Sequence, residues 1–392
     1  MTDPRRVDDV VTKLGDIAAG AGLRRITMLA WRDLDDPEAG GSEIHASRVA
    51  ELWGRAGIEV TMRTSYAPGT AQVSWRDGYR VIRKAGRYMV FPRAAVSEMM
   101  GWHGASDWLV EIWNGMPFFS PLWARRPRVV WLHHVHDTMW RMTLPPRLAR
   151  LGRSVEFHVA PPLYRGTPIV TLSASSKDEI VDKLRLPPGN ITVVPPGIDP
   201  SFTPGGEKEP TPLVVAVGRL VPVKRFDRLI DALVAVKARQ PGLRAVIVGE
   251  GYERDALERQ IITCDAGDWI SLPGRLDDAE LLSLYRRAWV LAASSAHEGW
   301  GMTITEAAAC ATPAVATRIA GHADAILDGT TGVLVDDAAA FGSALGRVLG
   351  DDDLRGRMAR EAQAYAAQFT WGATACGTLE VLAAEALRRT RA

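Results

Sequence analysis

Cysteine is scarce in this chain. Its 392 residues hold three, Cys264, Cys310 and Cys376, far apart and without metal-ligand spacing. A disulfide framework is excluded, and reduced thiols in a cytosolic protein are expected. Charge of one sign is missing too, since 47 basic residues against 46 acidic ones leave a formal net charge of +1. Nothing global selects nucleic acid as a partner. No apolar run approaches the ~20 residues of a membrane span, and the N-terminal MTDPRRVDDV lacks the apolar core of a signal peptide. One motif is absent as well. There is no GxGxxG dinucleotide fingerprint, which disfavours an NAD enzyme, and no metal site is expected.

What is present is a regular alternation of strands and helices. The length suits two domains of about 200 residues each. Ile26–Trp31 reads as a buried strand, the acidic loop RDLDDPEAGG follows, and Ser42 opens a helix to about Arg55 before a second strand, IEVTMR. Such a βαβ unit, repeated, predicts a parallel sheet with helices on both faces. Further strands are expected at YRVIRKAG, RYMVFP, Trp108–Trp113 and Arg128–His134, with a helix near Ala94–Met100. TPIVTL is another strand, leading into a helix capped by Ser175 or Ser176. The densest Pro and Gly segment, Ile191–Pro212, marks an interdomain hinge. The same grammar restarts at LVVAVGRL and runs to WVLAASS, predicting a second doubly wound sheet. Helices over Asp351–Ala367 and Trp371–Arg391 follow, the first opened by an Asp-Asp-Asp run.

One stretch, Ala296–Thr317, has the composition of a ligand site. Glu298 and Glu306 flank a Gly299-Trp300-Gly301 turn. The glycines let backbone approach a ligand, and the amides from Met302 and Thr303 to Thr305 open a helix, where an anion binds well. Thr303 and Glu306 also have capping-box spacing, so Glu306 reads equally as helix cap or ligand contact. Gly218, Arg219 and Lys224 follow a strand. A positive pair there suits a diphosphate, with Arg forking onto two oxygens and Lys acting as a point charge; the competing reading is ordinary surface charge. Gly249-Glu250-Gly251 closes the next strand in the same way.

In the first half, Gly40-Gly41 with Ser42 and Glu43 lies at the carboxyl end of a strand, where open α/β sheets bind ligands. A tight turn chosen for its dihedrals is the plain alternative. His133, His134 and His136 end another strand. Carboxylate or thiolate companions for a metal are not legible beside them, and contact with a substrate is the better expectation. Arg141–Phe157 mixes arginines with leucines, a pattern that suits either a solvated helix face or an anionic membrane surface. Nine of the 13 tryptophans fall in the first 140 residues, as stacking surfaces or as core.

The pattern Glu298-x7-Glu306 followed by Ala-Cys-Ala-Thr-Pro-Ala-Val-Ala resembles the sugar-nucleotide motif of retaining GT-B glycosyltransferases of family four, the group one family that includes bacterial mannosyl- and glucosyltransferases. The likeness extends over nearly the whole chain. It implies an α/β GT-B fold, two Rossmann-like doubly wound domains facing each other across a cleft. Residues 1–197 would bind the acceptor, with a C-terminal helix of about 371–392 packing back on them, and 198–370 would bind the donor. The implied reaction moves a hexose, mannose or glucose, from a nucleotide diphosphate sugar to a hydroxyl acceptor that is a sugar, a glycan or lipid-linked. It needs no cofactor or metal and takes place in the cytoplasm or peripherally at the inner face of a membrane.

The resemblance also assigns residues. The loop of Gly40, Gly41, Ser42 and Glu43 would reach the donor's diphosphate and sugar, and His133, with His136 second, would lie beside the transferred sugar. Gly218, Arg219, Lys224, Gly249, Gly251 and Arg275 would line the nucleotide and diphosphate. Glu298 would face the sugar hydroxyls, with Gly299, Trp300, Gly301, Met302 and Thr303 around it, and Glu306 the ribose. The segment IAGHADAILDGTTGVLV departs from the family's GGxPE loop, carrying Ala320 for the first Gly and His322-Ala323-Asp324 after it. A catalytically silent nucleotide-sugar-binding protein is one alternative. A sugar phosphorylase is the other, although the pyridoxal phosphate lysine it would hold has no convincing context here.

Overall fold

The computed structural model describes residues 4–104 and 106–390. Residues 1–3 and 391–392, at the tips of the expected terminal segments, lie outside the described residues. The chain divides into two compact units, Met1–Gly197 with Trp371–Ala392, and Ile198–Thr370.

The first unit is built on β1 (Arg25–Leu29), β2 (Glu59–Ser65), β3 (Val73–Arg76), β4 (Tyr79–Ala85), β5 (Trp108–Trp113), β6 (Arg128–Leu132), β7 (Ile169–Thr171) and β8 (Ile191–Val193). They form one sheet in the order β3-β4-β2-β1-β5-β6-β7-β8. All neighbours are parallel except β3 with β4. A parallel sheet covered on both faces needs strands that are apolar throughout, and β5, WLVEIW, is buried at every position. The chain order reverses at β1, between β2 and β5, which makes the carboxyl ends of β1 and its neighbours the natural ligand crevice. One core joins Leu14, Val49, Trp53 and Trp131 to Ala375, Leu379 and Leu382 of the Trp371–Thr390 helix. The Trp53 indole donates to the Ala375 carbonyl at 3.1 Å.

Three local expectations are corrected. RYMVFP is not a strand: the Val90–Met99 helix starts inside it, and Pro92 sits in the first turn, where its missing N–H costs nothing. The cap of the Ala174–Leu184 helix is Ser173, ahead of both serines expected; its backbone is extended and its hydroxyl accepts the Ser176 amide at 3.0 Å. The antiparallel β3–β4 hairpin was not anticipated. It turns on Asp77-Gly78, both at positive φ (43° and 89°), the pair a two-residue hairpin favours.

The acidic loop after β1 is neutralised from within. Arg83 and Asp33, 1% and 2% exposed at their side chains, form an ion pair, and Arg83 also reaches Asp35 at 2.6 Å. Arg32 pairs with Glu38 at 3.0 Å and with Glu43 at 3.4 Å. The loop that delivers Gly40-Gly41 is therefore held by buried charge. The Arg141–Phe157 stretch forms the helices Met139–Thr143 and Pro146–Ser154 and runs on into a π-helical turn, Val155–Val159. Its face turns Ala149 and Gly152 inward and Leu148 and Leu151 outward. No helix among the described residues is long and apolar enough to cross a membrane.

The second unit contains β9 (Leu213–Val217), β10 (Arg244–Val248), β11 (Ile270–Gly274), β12 (Val290–Ala293), β13 (Ala314–Thr317) and β14 (Gly332–Val335). Its sheet, β11-β10-β9-β12-β13-β14, is parallel throughout. Here the order reverses at β9, so the loops after β9 and β12 emerge side by side. The Asp-Asp-Asp run serves as a helix start, with the Asp351 side chain accepting the Leu354 amide at 2.8 Å. Removing one partner of a buried ion pair leaves the other charge uncompensated. Arg83→Ala should therefore lower stability by about 3–5 kcal/mol, read as a shifted denaturant midpoint with an unchanged slope.

Candidate active site

The strongest constellation is in the second unit. The loop after β9 runs Gly218-Arg219-Leu220 into the turn Pro222–Lys224, and the loop after β12 runs Ser294 to Gly301. They are stitched together: the Ser294 hydroxyl donates to the Lys224 carbonyl at 2.8 Å, and the Ala296 amide to the Val223 carbonyl at 2.7 Å. This brings the Lys224 ammonium onto Glu298 Oε1, which also accepts from the Ser295 hydroxyl at 2.9 Å. Burial alone would raise the Glu298 pKa. Lys224 foremost, with His322 and the Ser295 hydrogen bond, outweighs it and holds the carboxyl at about 2. Glu298 is thus a fixed anion, with one oxygen occupied by protein.

Glu306 is the opposite case. It does not cap the Met302–Ala309 helix, whose N-cap is Gly301 at φ 99°, a left-handed value that glycine adopts freely. Its Oε2 instead accepts from the Tyr285 hydroxyl at 3.1 Å. Burial pushes its pKa up to about 7, against the Tyr285 hydrogen bond and with some help from Asp199 and Asp278. The two glutamates therefore differ in charge state near neutrality. Separation of two carboxyls by environment is how one site obtains two chemical roles.

Two glycines are required by contact. A Cβ on Gly249 would lie 1.9 Å from the Gly218 carbonyl oxygen, and one on Gly251 would lie 2.2 Å from that of Leu220. The β10 loop is thereby pressed against the β9 loop. The divergent 320–324 segment packs just as closely. A Cβ on Gly321 would lie 2.5 Å from the Trp300 nitrogen, and His322 fills the space beside Gly301. The His322 ring, 1% exposed, is fixed by Nδ1 at 3.0 Å from the Thr317 carbonyl. Burial and Lys224 lower its pKa to about 4, against Glu298, so it is a neutral ring braced under the glycine turn.

Not every expected residue gathers there. The Trp300 ring is buried, 5.0 Å from Phe369, and braces the loop from inside. Met302 and Thr303 lie half-buried at the helix start. Arg275 is exposed just past β11, an edge strand two places from β9. Arg219 lies half-buried beside Gly218.

In the first unit Gly40 and Gly41 begin the Gly41–Arg55 helix, and Ser42 Oγ accepts from Asn114 at 3.3 Å. Glu43 turns inward, accepting the Gly40 amide at 2.8 Å beside Arg32, so its carboxylate holds the helix start and is 5% exposed. His133, expected beside a substrate, has its ring buried at 3% exposure, 5.0 Å from that of His45 and with a pKa lowered by burial to about 4. The half-buried His134 and His136 stack at 4.8 Å and are the imidazoles nearer the surface. Among the described residues no group of three or more His, Cys, Asp or Glu is gathered as a metal site.

Sequence reading missed Ser295, Tyr285 and His45. Only the serine, three residues before Glu298 in the same loop, carried a local signal. Tyr285 reaches Glu306 through helix packing and His45 reaches His133 across the sheet face, which no spacing announces.

Two parallel α/β units, each with its sheet order reversed at one strand, define the GT-B fold class. Residues 198–365 match the family described as glycosyl transferases group 1, and residues 39–202 the family described as glycosyltransferase family 4. The chain belongs to the family-four, group 1 glycosyltransferases. It is 33% identical over 241 residues to a D-inositol 3-phosphate glycosyltransferase of Salinispora arenicola, covering 54% of each chain. The chain spans about half the length of most curated relatives it matches, and 88% of one that is 26% identical. Among solved structures, sucrose-phosphate synthase of Thermosynechococcus elongatus is similar at TM-score 0.74 and 20% identity, over 94% of this chain and 98% of that one. The HepE protein of Anabaena in complex with UDP and glucose is similar at TM-score 0.68 and 19% identity, over 93% and 100%.

The raised Glu306 pKa carries a signed prediction. Its folded value lies above the ordinary glutamate value of 4.5, so the folded state holds the proton more tightly, and stability from this group is lost as pH rises from 4.5 through about 7. Denaturant midpoints measured across that window should fall less steeply in Glu306→Gln than in the parent protein.

Proposed function

We propose that the chain is a retaining hexosyltransferase that takes a nucleotide diphosphate sugar as donor and passes its hexose to a hydroxyl acceptor. The observation that carries this reading is the seat of Lys224 against Glu298 beside a helix N-terminus, at the strand where the second sheet reverses. As the glycosidic bond to phosphate breaks, negative charge grows on the leaving diphosphate and positive charge on the sugar. Arg219, Lys224 and the amides following Gly301 are the counter-charges for the first. The Lys224 charge and the amides of the helix start are fixed before the reaction and need little rearrangement during it.

Glu298 is read as an anion facing the sugar. Its Oε1 is committed to Lys224 and Ser295, which leaves Oε2 to accept a sugar hydroxyl and to favour an oxocarbenium-like state. It is not assigned as a nucleophile. Glu306, poised between acid and anion, suits a pair of ribose hydroxyls that both donate and accept. The acceptor's proton passes to the leaving phosphate oxygen, so the carbon–oxygen bond that forms and the one that breaks share one face of the sugar. The first unit is read as the acceptor side, with the Gly40-Gly41 loop and the His134–His136 pair as its polar groups and buried His133 behind them. The names of the relatives support a small hydroxyl acceptor bearing phosphate as the first to test, and the UDP complex of HepE supports a uridine nucleotide.

The test is a panel of UDP- and GDP-linked hexoses, followed by released nucleotide and product mass with D-inositol 3-phosphate and lipid acceptors. Glu298→Gln and Lys224→Ala should each lower kcat/KM by at least about tenfold with the fold intact by circular dichroism. Full activity in the Lys224 variant would defeat the diphosphate assignment. Nucleotide-sugar binding with no turnover would favour a silent binding protein, and release of a sugar phosphate would favour a phosphorylase.

A further inference from the structure

We infer that Glu156 is a positioning residue for the histidine loop of the first unit. The loop after β6 carries His133, His134, His136 and Asp137, and residues 133–138 lie outside any strand or helix. Glu156 reaches it from the π-helical turn Val155–Val159, a widened backbone that often marks a position selected for its side chain. The carboxylate is fully buried and takes three donors: Oε1 accepts the His136 amide at 2.7 Å, and Oε2 accepts the Asp137 amide at 3.1 Å and the Trp140 indole at 2.8 Å. Asp137 needs such support, because its φ of 40° is a left-handed value uncommon outside glycine. Its side chain is tied as well, to Arg153 at 3.2 Å and Lys183 at 3.0 Å.

The consequence is an aimed pair of imidazoles. With the backbone at 136–137 clamped, His136 stacks on His134 and lies 5.3 Å from the Trp140 ring, the ring whose N–H the same carboxylate holds. On its other side it abuts Gly115, where a Cβ would fall 2.9 Å from its Nε2. A buried carboxylate is costly unless its lone pairs are filled. Here two of the filling groups are loop amides and the third is Trp140 in the helix that follows, so the cost of burial is recovered only when that loop is in place. Burial still keeps the Glu156 pKa up at about 7. Glutamine cannot substitute: whichever way the amide is turned, its NH₂ faces an N–H donor from His136 or from Asp137 and Trp140.

The kinetic arm of the test rests on the transferase reading, whereas the exchange arm does not. In the wild-type chain the His136 and Asp137 amides should be protected from hydrogen exchange at least about a hundredfold over free peptide. In Glu156→Gln they should lose at least about tenfold of that protection, while the amides of β9 keep theirs. With UDP-glucose and D-inositol 3-phosphate as probes, the variant's acceptor KM should rise at least about tenfold, with UDP affinity by calorimetry within twofold. Unprotected wild-type amides, or unchanged protection in a folded Glu156→Gln, would overturn the inference, and so would equal losses of acceptor and UDP binding. If the variant does not fold, wild-type exchange decides alone. If no transfer occurs with these probes, the proposed function is what suffers, and exchange still decides the role of Glu156.

Discussion

Everything proposed for the second unit depends on an ion pair made by two groups 74 residues apart, Lys224 and Glu298. The pair exists because β9 is the strand at which the sheet reverses, so that loops from two separate crossovers leave its carboxyl edge as neighbours. In water two such charges would gain little from each other. Here the side chains are about one-fifth exposed, and serine hydroxyls from the β12 loop fix both partners, Ser294 on the lysine backbone and Ser295 on the glutamate. The result is a cation whose position is set by an anion, and the proposed diphosphate site rests on it. Were the lysine free on a flexible stem, it would lose side-chain entropy on each binding event.

The first unit uses the same device with different partners. Glu111 on β5 is fully buried and accepts from the Phe118 amide at 2.6 Å, the Ser120 amide at 3.3 Å and the Tyr164 hydroxyl at 2.6 Å, as well as from the Ser120 hydroxyl. Glu43 does so at the start of the Gly41–Arg55 helix and Glu156 beyond β6. Three loops at the carboxyl edge of one sheet are thus each anchored by a buried carboxylate receiving backbone amides. Arginine pairing through Asp33 and Arg83 completes the set on the β1 side. Loops that carry polar ligand groups tend to be mobile. Internal acceptors restrain these without covering them.

The architecture was legible because it is written in periodicity. Buried runs such as ITML and WLVEIW, and restarts after Pro- and Gly-rich stretches, survive as strands and crossovers whatever their neighbours do. That Lys224 and Glu298 belong to neighbouring loops was legible because each loop follows a strand of the same sheet. What failed was whatever depends on the third dimension. His133 and His136 are indistinguishable as residues after a strand, yet one ring turns into the core beside His45 and the other stays half-buried over Gly115. Glu43 was expected at a ligand because the resemblance assigned it there together with Gly40, Gly41 and Ser42. Its carboxylate was claimed by Gly40 and Arg32, a contact arranged by the folding of the acidic loop. RYMVFP read as a strand because its apolar run is too short to show a period, and only Pro92 in the first helical turn betrays it.

The segment that departs from the family pattern shows how a substitution can keep a role while changing its chemistry. The family pattern there is GGxPE. This chain keeps one of those glycines, Gly321, at φ 84° and hard against the Gly299–Trp300 peptide, and adds an imidazole beside Gly301. The ring has no freedom, since Nδ1 faces the Thr317 carbonyl and the Thr317 hydroxyl donates to Ser295 at 2.6 Å. Ser295 in turn holds Glu298. A continuous path therefore runs from the departing loop to the carboxylate that Lys224 grips. Its members are neutral apart from that final pair, because burial keeps His322 uncharged. A cationic ring at this place would compete with Lys224 for Glu298. The neutral one braces the turn and leaves the ion pair as the only fixed charge on that path.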